Sequence, residues 1–443
     1  MKFSKTLIAA SLAFVSADSF SAAFQLSEQN ASGLGRAYAG EASIADDASV
    51  VARNPALMTL FKDKQLSVAA IGVIPDVSIE GESTNNGIDP SALDDDSIAP
   101  SAVVPAIYYT MPYNDKVSIG FGAFSNFGLS TEFNDEYVAG QIAGETEIFT
   151  VNLNASVAYK VTEQFSFGIG LNAIYAEAKI IRKFGGHTPA NIQAGIDQLT
   201  QAGILPEDYS ISASADAVNL EGDDVGYGLN IGLMYQLDEN SRFGFNYRSE
   251  TDITFDGEYS NELPEFIGGR KGQSELPGSV DITLPAIAEF SGSHQLDEKT
   301  GLHYSVLWTG WSSFESLEAQ VTLPTGDKFV AFEKQEQFDD SFRYSVGADY
   351  QYNEDLLLRA GVAFDESPVS QTHLSISIPD TDRFWFSFGG NYTIDQNSNV
   401  DLGVSIIRGK TQTFTEADDS GSQWGFESKG HAVLLGAQYN YKF

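Results

Sequence analysis

The sequence predicts an all-β protein: a transmembrane antiparallel β-barrel of about fourteen strands with an N-terminal hatch, or plug, in its lumen. Three observations carry that expectation. Apolar and polar residues alternate with a period of two along much of the chain, short connections alternate with long ones, and a Gly- and Ala-rich stretch ahead of the strands resembles none of them.

Lys2 and Lys5 precede an apolar run at 7–15, and the small residues Ser19 and Ser21 permit cleavage before Ala22. That run is too short for a membrane anchor. The expected organisation is a signal peptide over 1–21, a hatch over 22–63 and a barrel over 64–443. The chain has no cysteine, so it needs no disulfide framework, offers no thiolate to a metal, and refolds in an oxidising periplasm without wrong pairings. A formal charge of -36 repels nucleic acid. It suits a surface carrying divalent cations among anionic lipopolysaccharide, and equally suits loops that are simply well solvated.

The strands follow from the alternation. Phe165, Phe167, Ile169, Leu171, Ala173 and Tyr175 alternate with Ser166, Gly168, Gly170 and Asn172, which places apolar side chains on one face and small or polar ones on the other. The same period runs through Phe149 to Tyr159, Val225 to Tyr235, Phe384 to Tyr392 and Val400 to Ile406. A soluble sandwich also alternates. The opposite face decides the matter, because Gly, Ser, Asn and Thr suit a wet or ligand-lined lumen while the aromatic-rich apolar face suits lipid. The last strand carries Val433, Leu435, Tyr439, Tyr441 and the terminal Phe443 on one face, a pattern that resembles the C-terminal signal read by the barrel assembly machinery.

Polar breaks at Asn114-Asp115, Thr162-Glu163, Asp238 to Asn240, Asp297 to Lys299, Asn353 to Asp355 and Asp395 to Asn397 mark short turns. With both termini on their side, they leave seven long connections on the other and set the strand count. In the first long connection the acidic run Asp94 to Asp96 reads as a solvated tip. In another, Ile192, Ile196, Leu199 and Ile204 have helical spacing and predict an amphipathic helix outside the membrane. The connection at 260–278, with Leu263, Phe266 and Ile267, is also apolar. These two loops form either an outward-facing apolar groove or a contact with each other.

Catalytic and metal-binding motifs do not stand out: there is no G-x-S-x-G, H-E-x-x-H or Walker pattern, and His187, His294, His303, His373 and His431 are scattered as surface or turn residues would be. No cofactor is expected. The segment 24–60 is the candidate hatch. Gly33, Gly35 and Gly40, with Ala31, Ala37 and Ala39, allow close packing. Asn54-Pro55 forces the chain out of helix and is a candidate hinge, and Ala56 completes the turn. Arg53 and Asp46-Asp47 are candidates for locking this plug to the lumen wall.

The run SGLGRAYAGEASIADDASVVARNPA at 32–56 resembles the N-terminal hatch of the FadL family of outer-membrane long-chain fatty acid transporters. So do GLSTEFND at 128–135, Tyr247 to Glu250, Trp311 to Phe314 and IPDTDRFW at 378–385. What the resemblance implies is passive, ligand-gated uptake without metal or nucleotide, by a monomer in the outer membrane of a Gram-negative bacterium. An apolar ligand would settle in an inner pocket, shift the hatch and leave sideways into the bilayer through a kink in the third strand. It places Arg182, Lys334 and the acidic neighbour Asp365 in the pocket, with Phe24 against the acyl chain. It places Ser125 and Gly128 at the kink and Ala102 on the bordering strand. Uptake of other hydrophobic compounds, such as aromatic hydrocarbons, is the alternative within the family; Arg182 and Lys334 favour an anionic ligand. An outer-membrane lipid hydrolase and a structural adhesin remain as readings from other classes.

Overall fold

The computed structural model describes residues 23–443, and the expected signal peptide with its cleavage site falls outside the described residues. Twenty strand segments form one sheet. Six pairs of segments continue each other across a short interruption, which leaves fourteen staves. These are β1 (Gln65–Thr84), β2 (Ala102–Pro112), β3 (Val117–Phe124 with Gly128–Glu132), β4 (Gly144–Lys160), β5 (Phe165–Lys183), β6 (Asp216–Gln236) and β7 (Ser241–Arg248 with Thr251–Ser260). There follow β8 (Leu276–Leu284 with Ile287–Gln295), β9 (Thr300–Thr309 with Ser316–Thr322), β10 (Lys328–Gln335 with Ser341–Gln351), β11 (Leu356–Asp365), β12 (Arg383–Thr393), β13 (Ser398–Gly409 with Gln412–Ala417) and β14 (Gln423–Lys442). β1 pairs with β14 from Gln65↔Lys442 to Thr84↔Trp424 and closes the barrel.

All six short turns fall where the sequence places them, on one rim, because side-chain oxygens replace the missing ladder bonds there. Asn114, Asp297, Asn353 and Asp395 each accept backbone N–H groups two and three residues on, and Thr162 does the same through its hydroxyl. Phe443 ends at the same rim, its N–H donating to the Lys64 carbonyl at 3.0 Å. Exposed Tyr113, Tyr159, Tyr235, Tyr352, Tyr392 and Tyr441 ring this rim as an interfacial girdle.

The lumen changes polarity with height, which the alternation alone did not reveal. Along β5 the inward residues run Ser166, Gly168, Gly170 and Asn172, then Ile174, Ala176, Ala178 and Ile180. Its outward residues change from Phe167, Ile169 and Leu171 to Glu177 and Lys179. Above Asn172, therefore, the apolar face is the lumen and the polar face points outward. β7, β8 and β9 repeat the switch, from Asn246, Ser291 and Ser305 to Phe255, Ile282 and Leu317. The lumen therefore has a polar lower half beneath an apolar upper chamber.

Segment 23–61 fills the polar half. It contains two single turns, α1 (Ala31–Leu34) and α2 (Val50–Arg53), and a 3₁₀ turn over Pro55–Leu60. Nearly all of it is buried. Gly40, at φ +86°, has its N–H on Ser305 Oγ at 2.8 Å, and a side chain there would collide with Ile44 and His303. The predicted helix between β5 and β6 is α3 (Ala190–Gln201). It packs through Ile192 and Ile196 in a cluster with Leu263 and Ile267 of the connection between β7 and β8, so these two apolar loops contact each other.

Candidate functional site

β3 is interrupted at Ser125, Asn126 and Phe127. The flanking pairs Phe124↔Asn152 and Gly128↔Phe149 leave these three residues opposite only two on β4, so the strand must bulge. Below the bulge β3 pairs with β2 from Ile107↔Ala123 to Pro112↔Ser118. Above it the register between β2 and β3 ends. The stretch of β2 at 102–106 pairs with β1 alone, and the upper part of β3 pairs with β4 alone. Pro105, which has no N–H to offer, lies in this stretch. The result is an unladdered seam in the barrel wall, bounded above by the Glu132 N–H on the Ile98 carbonyl at 2.8 Å.

The backbone groups released by the bulge are satisfied from two sides. From β4, Thr150 Oγ1 donates to the Phe127 carbonyl at 2.6 Å, Ser125 Oγ donates to the Thr150 carbonyl at 2.6 Å, and Asn152 Nδ2 donates to Asn126 Oδ1 at 2.8 Å. From the N-terminal segment, the Leu26 N–H meets the Asn126 carbonyl at 2.7 Å, and the Gly128 N–H meets the Phe24 carbonyl at 2.9 Å. Residues 24–26 thus lie as a strap across the kink.

Phe24 anchors the strap from above. Its ring meets Trp311 edge-on at 4.5 Å, Phe314 at 5.2 Å and Phe127 at 6.1 Å, at the floor of the apolar chamber. The side chains that meet it come from interruptions in the staves: Phe127 from β3, and Trp311 and Phe314 from the turn that breaks β9. Phe338, from the interruption of β10, packs on both Trp311 and Phe314. The chamber wall is formed by Ile174, Ile253, Phe255, Val280, Leu317 and Val321.

Arg182 and Lys334 face the same chamber from β5 and β10. The Arg182 guanidinium lies 5.2 Å from the centre of the Phe332 ring and donates to the Glu145 and Ile181 carbonyls and to Ser377 Oγ, at 3.1, 2.8 and 3.1 Å. Lys334 Nζ pairs with Glu416 at 2.8 Å. Asp365 is placed apart from both. The basic side chain beside it is Arg383, at 3.8 Å, while Glu416 on β13, which sequence inspection did not single out, partners Lys334.

Asn54 ends α2 and caps the following 3₁₀ turn, as expected of a junction. Its Oδ1 accepts the Ala56 N–H at 3.0 Å, and its Nδ2 donates to Ala42 within the segment at 2.6 Å and to Leu233 of β6 at 2.9 Å. Pro55 rests on Gly168, and Asn54 and Pro55 on Gly232, where a Cβ would lie 2.0 Å from Asn54 Oδ1. Glycines on the wall make this close seat possible. Ala102 begins β2 beside the seam, paired with Val73.

Of the expected wall locks, only Asp46 acts as one. It takes Arg36 at 2.7 Å and the wall's Arg359 at 3.0 Å. Its enclosure inside the barrel opposes ionisation even though the side chain itself is solvent-accessible, but Arg36 and Arg359 outweigh that and hold its carboxyl below the usual range. Arg53 and Asp47 instead bind within the segment, to Glu41 and the Ser27 carbonyl and to Ser32 and Ser49 respectively. The missed locks are Arg36, which pairs with Asp349 of β10 at 3.3 Å, Arg248 on the Ala52 carbonyl at 3.0 Å, and Arg343 on Ser27 Oγ. Their signal was available: Arg248, Arg343 and Arg359 fall on the inward phase of otherwise alternating strands. His303 is a further correction, being a buried lumen residue 3.1 Å from Asp349.

A closed antiparallel barrel with exposed apolar outer faces, a filled polar lower lumen and an apolar upper chamber defines an outer-membrane protein specialised for hydrophobic solutes. The family model described as "Outer membrane protein transport protein (OMPP1/FadL/TodX)" matches residues 12–443, and the chain belongs to that family. It is 40% identical over 455 residues to the "Long-chain fatty acid transport protein" of Escherichia coli K12, covering 100% of this chain and 99% of that one. It is 38% identical to "Outer membrane protein P1" of Haemophilus influenzae, with 100% of both chains covered. A solved Pseudomonas aeruginosa FadL homologue superposes with TM-score 0.81 at 19% identity, covering 95% of this chain and 100% of that one. The Pseudomonas putida toluene transporter TodX superposes with TM-score 0.66 at 19% identity, over 95% and 100% of the two chains. At those identities the likeness concerns the fold. The protein is an outer-membrane member of a transport family.

Proposed function

We propose that the protein takes up long-chain fatty acids passively. The acyl chain occupies the apolar chamber over Phe24, and the carboxylate is met by Arg182 and Lys334. One observation carries this reading: apolar side chains line the upper lumen, with the buried guanidinium of Arg182 and the partly buried ammonium of Lys334 in its wall. A hydrocarbon chain gains about 0.8 kcal/mol per buried CH₂, whereas its carboxylate must be compensated wherever it is buried. Neutral aromatic compounds have no use for the two cations, which ranks them second.

Segment 22–63 acts in this proposal as the hatch. Ligand entering beside Phe24 competes for the rings that hold the strap. Its release frees the Gly128 N–H and the Asn126 carbonyl and opens the seam beside Ala102 and Ser125. Exit through that seam delivers an apolar molecule straight to the bilayer and spares it a passage through the polar, filled lower lumen. The turn at Asn54, Pro55 and Ala56 is the pivot on which the hatch moves. Arg383 and Asp365 support the loop above.

A crystal structure with oleate tests the assignment. The expected result is an elongated ligand against Phe24 with its carboxylate within hydrogen-bonding distance of Arg182 or Lys334. Oleate found only outside the barrel, or displaced by equimolar toluene, would refute it.

A further inference from the structure

Beside the two chamber cations lies a second carboxyl group, Glu336, at the start of the interruption in β10. It is 1% exposed, and neither carboxylate oxygen has a hydrogen-bond partner among the described residues. The charges facing it are Lys334 on its own stave, Glu416 from β13 and Arg182 from β5. Its N–H is held by the Glu315 carbonyl at 2.9 Å. Glu416 is already engaged, with one oxygen on Lys334 at 2.8 Å and the other on the Ile376 N–H at 3.0 Å.

The charge balance of this cluster constrains what it can bind. With both glutamates ionised, two cations face two carboxylates, and an arriving anion finds no net positive charge. A third buried carboxylate would then be uncompensated, at high cost. With Glu336 neutral, the cluster carries one net positive charge and one O–H with no acceptor, which together match a single monoanionic head group.

We propose that Glu336 is protonated when the chamber receives ligand and donates its O–H to the head-group oxygen, so that it selects for monoanionic amphiphiles. Burial pushes this carboxyl above its ordinary range, with Glu416 adding to the push and Lys334 and Arg182 opposing it. A carboxylic acid donating to an anionic oxygen forms a short, charge-assisted bond that a neutral head group does not offer. The inference rests on the chamber being the fatty-acid site.

Dodecanesulfonate is the test probe, because its head group stays ionised across the pH range. Its binding is measured by calorimetry on the mature protein in amphipol at pH 6 and pH 9, beside Glu336→Gln and Glu336→Ala, with near-ultraviolet circular dichroism reporting the fold. Wild-type affinity should fall about tenfold or more between the two values, since proton loss from the donor is linked to binding. Glu336→Gln, which keeps a donor that does not titrate, should give the same affinity at both. Glu336→Ala should bind more weakly than Glu336→Gln at pH 9. A pH-independent wild type, or an unchanged pH slope in Glu336→Gln, overturns the inference and leaves the fatty-acid reading standing. No binding of dodecanesulfonate or oleate to the wild type at either pH overturns both.

Discussion

Replacing Phe24 by alanine tests whether the N-terminal strap is held by the chamber it lies beneath. The ring is fully buried against Trp311, Phe314 and Phe127, and truncating such a phenylalanine costs about 3–5 kcal/mol. What remains of the strap is two backbone hydrogen bonds, Leu26 to Asn126 and Gly128 to Phe24, and the Thr309 hydroxyl on Gln25 Oε1 at 2.6 Å, each contributing about 1 kcal/mol net. Even the lower end of the truncation cost, about 3 kcal/mol, shifts the docking equilibrium by roughly two orders of magnitude toward release. Amide hydrogen exchange reads that equilibrium directly. Exchange at Gly128 and Leu26 should accelerate about a hundredfold in Phe24→Ala. The Phe127 amide is a built-in control, because its acceptor is Thr150 Oγ1 on β4 at 3.3 Å and is independent of the strap. Unchanged protection at Gly128, or equal acceleration at Phe127, would refute the idea that Phe24 holds the strap on the kink.

Three further outcomes follow from the hatch. Asn54→Ala and Pro55→Ala should each lower cellular oleate uptake severalfold while leaving oleate binding to purified protein intact; wild-type uptake by both would remove the turn from the mechanism. Gly232→Ala forces its Cβ onto Asn54 Oδ1 and breaks the seat of that residue on Leu233, a loss of about 1–2 kcal/mol in thermal unfolding, and an unchanged melting temperature would contradict the packing. Glu28 is buried in the N-terminal segment, and burial pushes its carboxyl up to about 7, against nearby backbone donors, Arg343 and Arg53. A carboxyl raised in the folded state stabilises that state most below its unfolded pKa near 4.5 and loses this contribution as pH rises through about 7. Glu28→Gln should therefore raise thermal stability relative to wild type at pH 8 and have little effect at pH 4.5. An equal difference at both values would show that Glu28 does not titrate there.

Much of the fold was legible because a barrel in lipid imposes a period of two and the turns use side chains that name themselves, as Asn114, Asp297 and Asn353 do. The kink was legible too, since Ser125 to Gly128 breaks the alternation of its strand. The height at which the lumen turns apolar was not. Alternation separates two faces without saying which one meets lipid, and beyond the bilayer Glu177 and Lys179 can face outward at no cost while Ile174 and Ile180 turn in. Pairings across the barrel were equally hidden. Lys334 and Glu416 stand 82 residues apart, and only closure of the sheet brings them together. Asp365, adjacent to Arg383 across β11 and β12, answers to its neighbour in register.

The central claim is lateral exit at the kink of β3, and a one-residue deletion tests it most directly. Three residues of β3 now oppose two of β4, so removing Asn126 lets the ladder run on without a bulge. Uptake of radiolabelled oleate by cells expressing the Asn126 deletion should fall to the level of cells lacking the protein, while the purified, folded variant still binds oleate. Wild-type uptake by a variant whose β3 is shown to be continuous would contradict the account and send the ligand through the lumen instead.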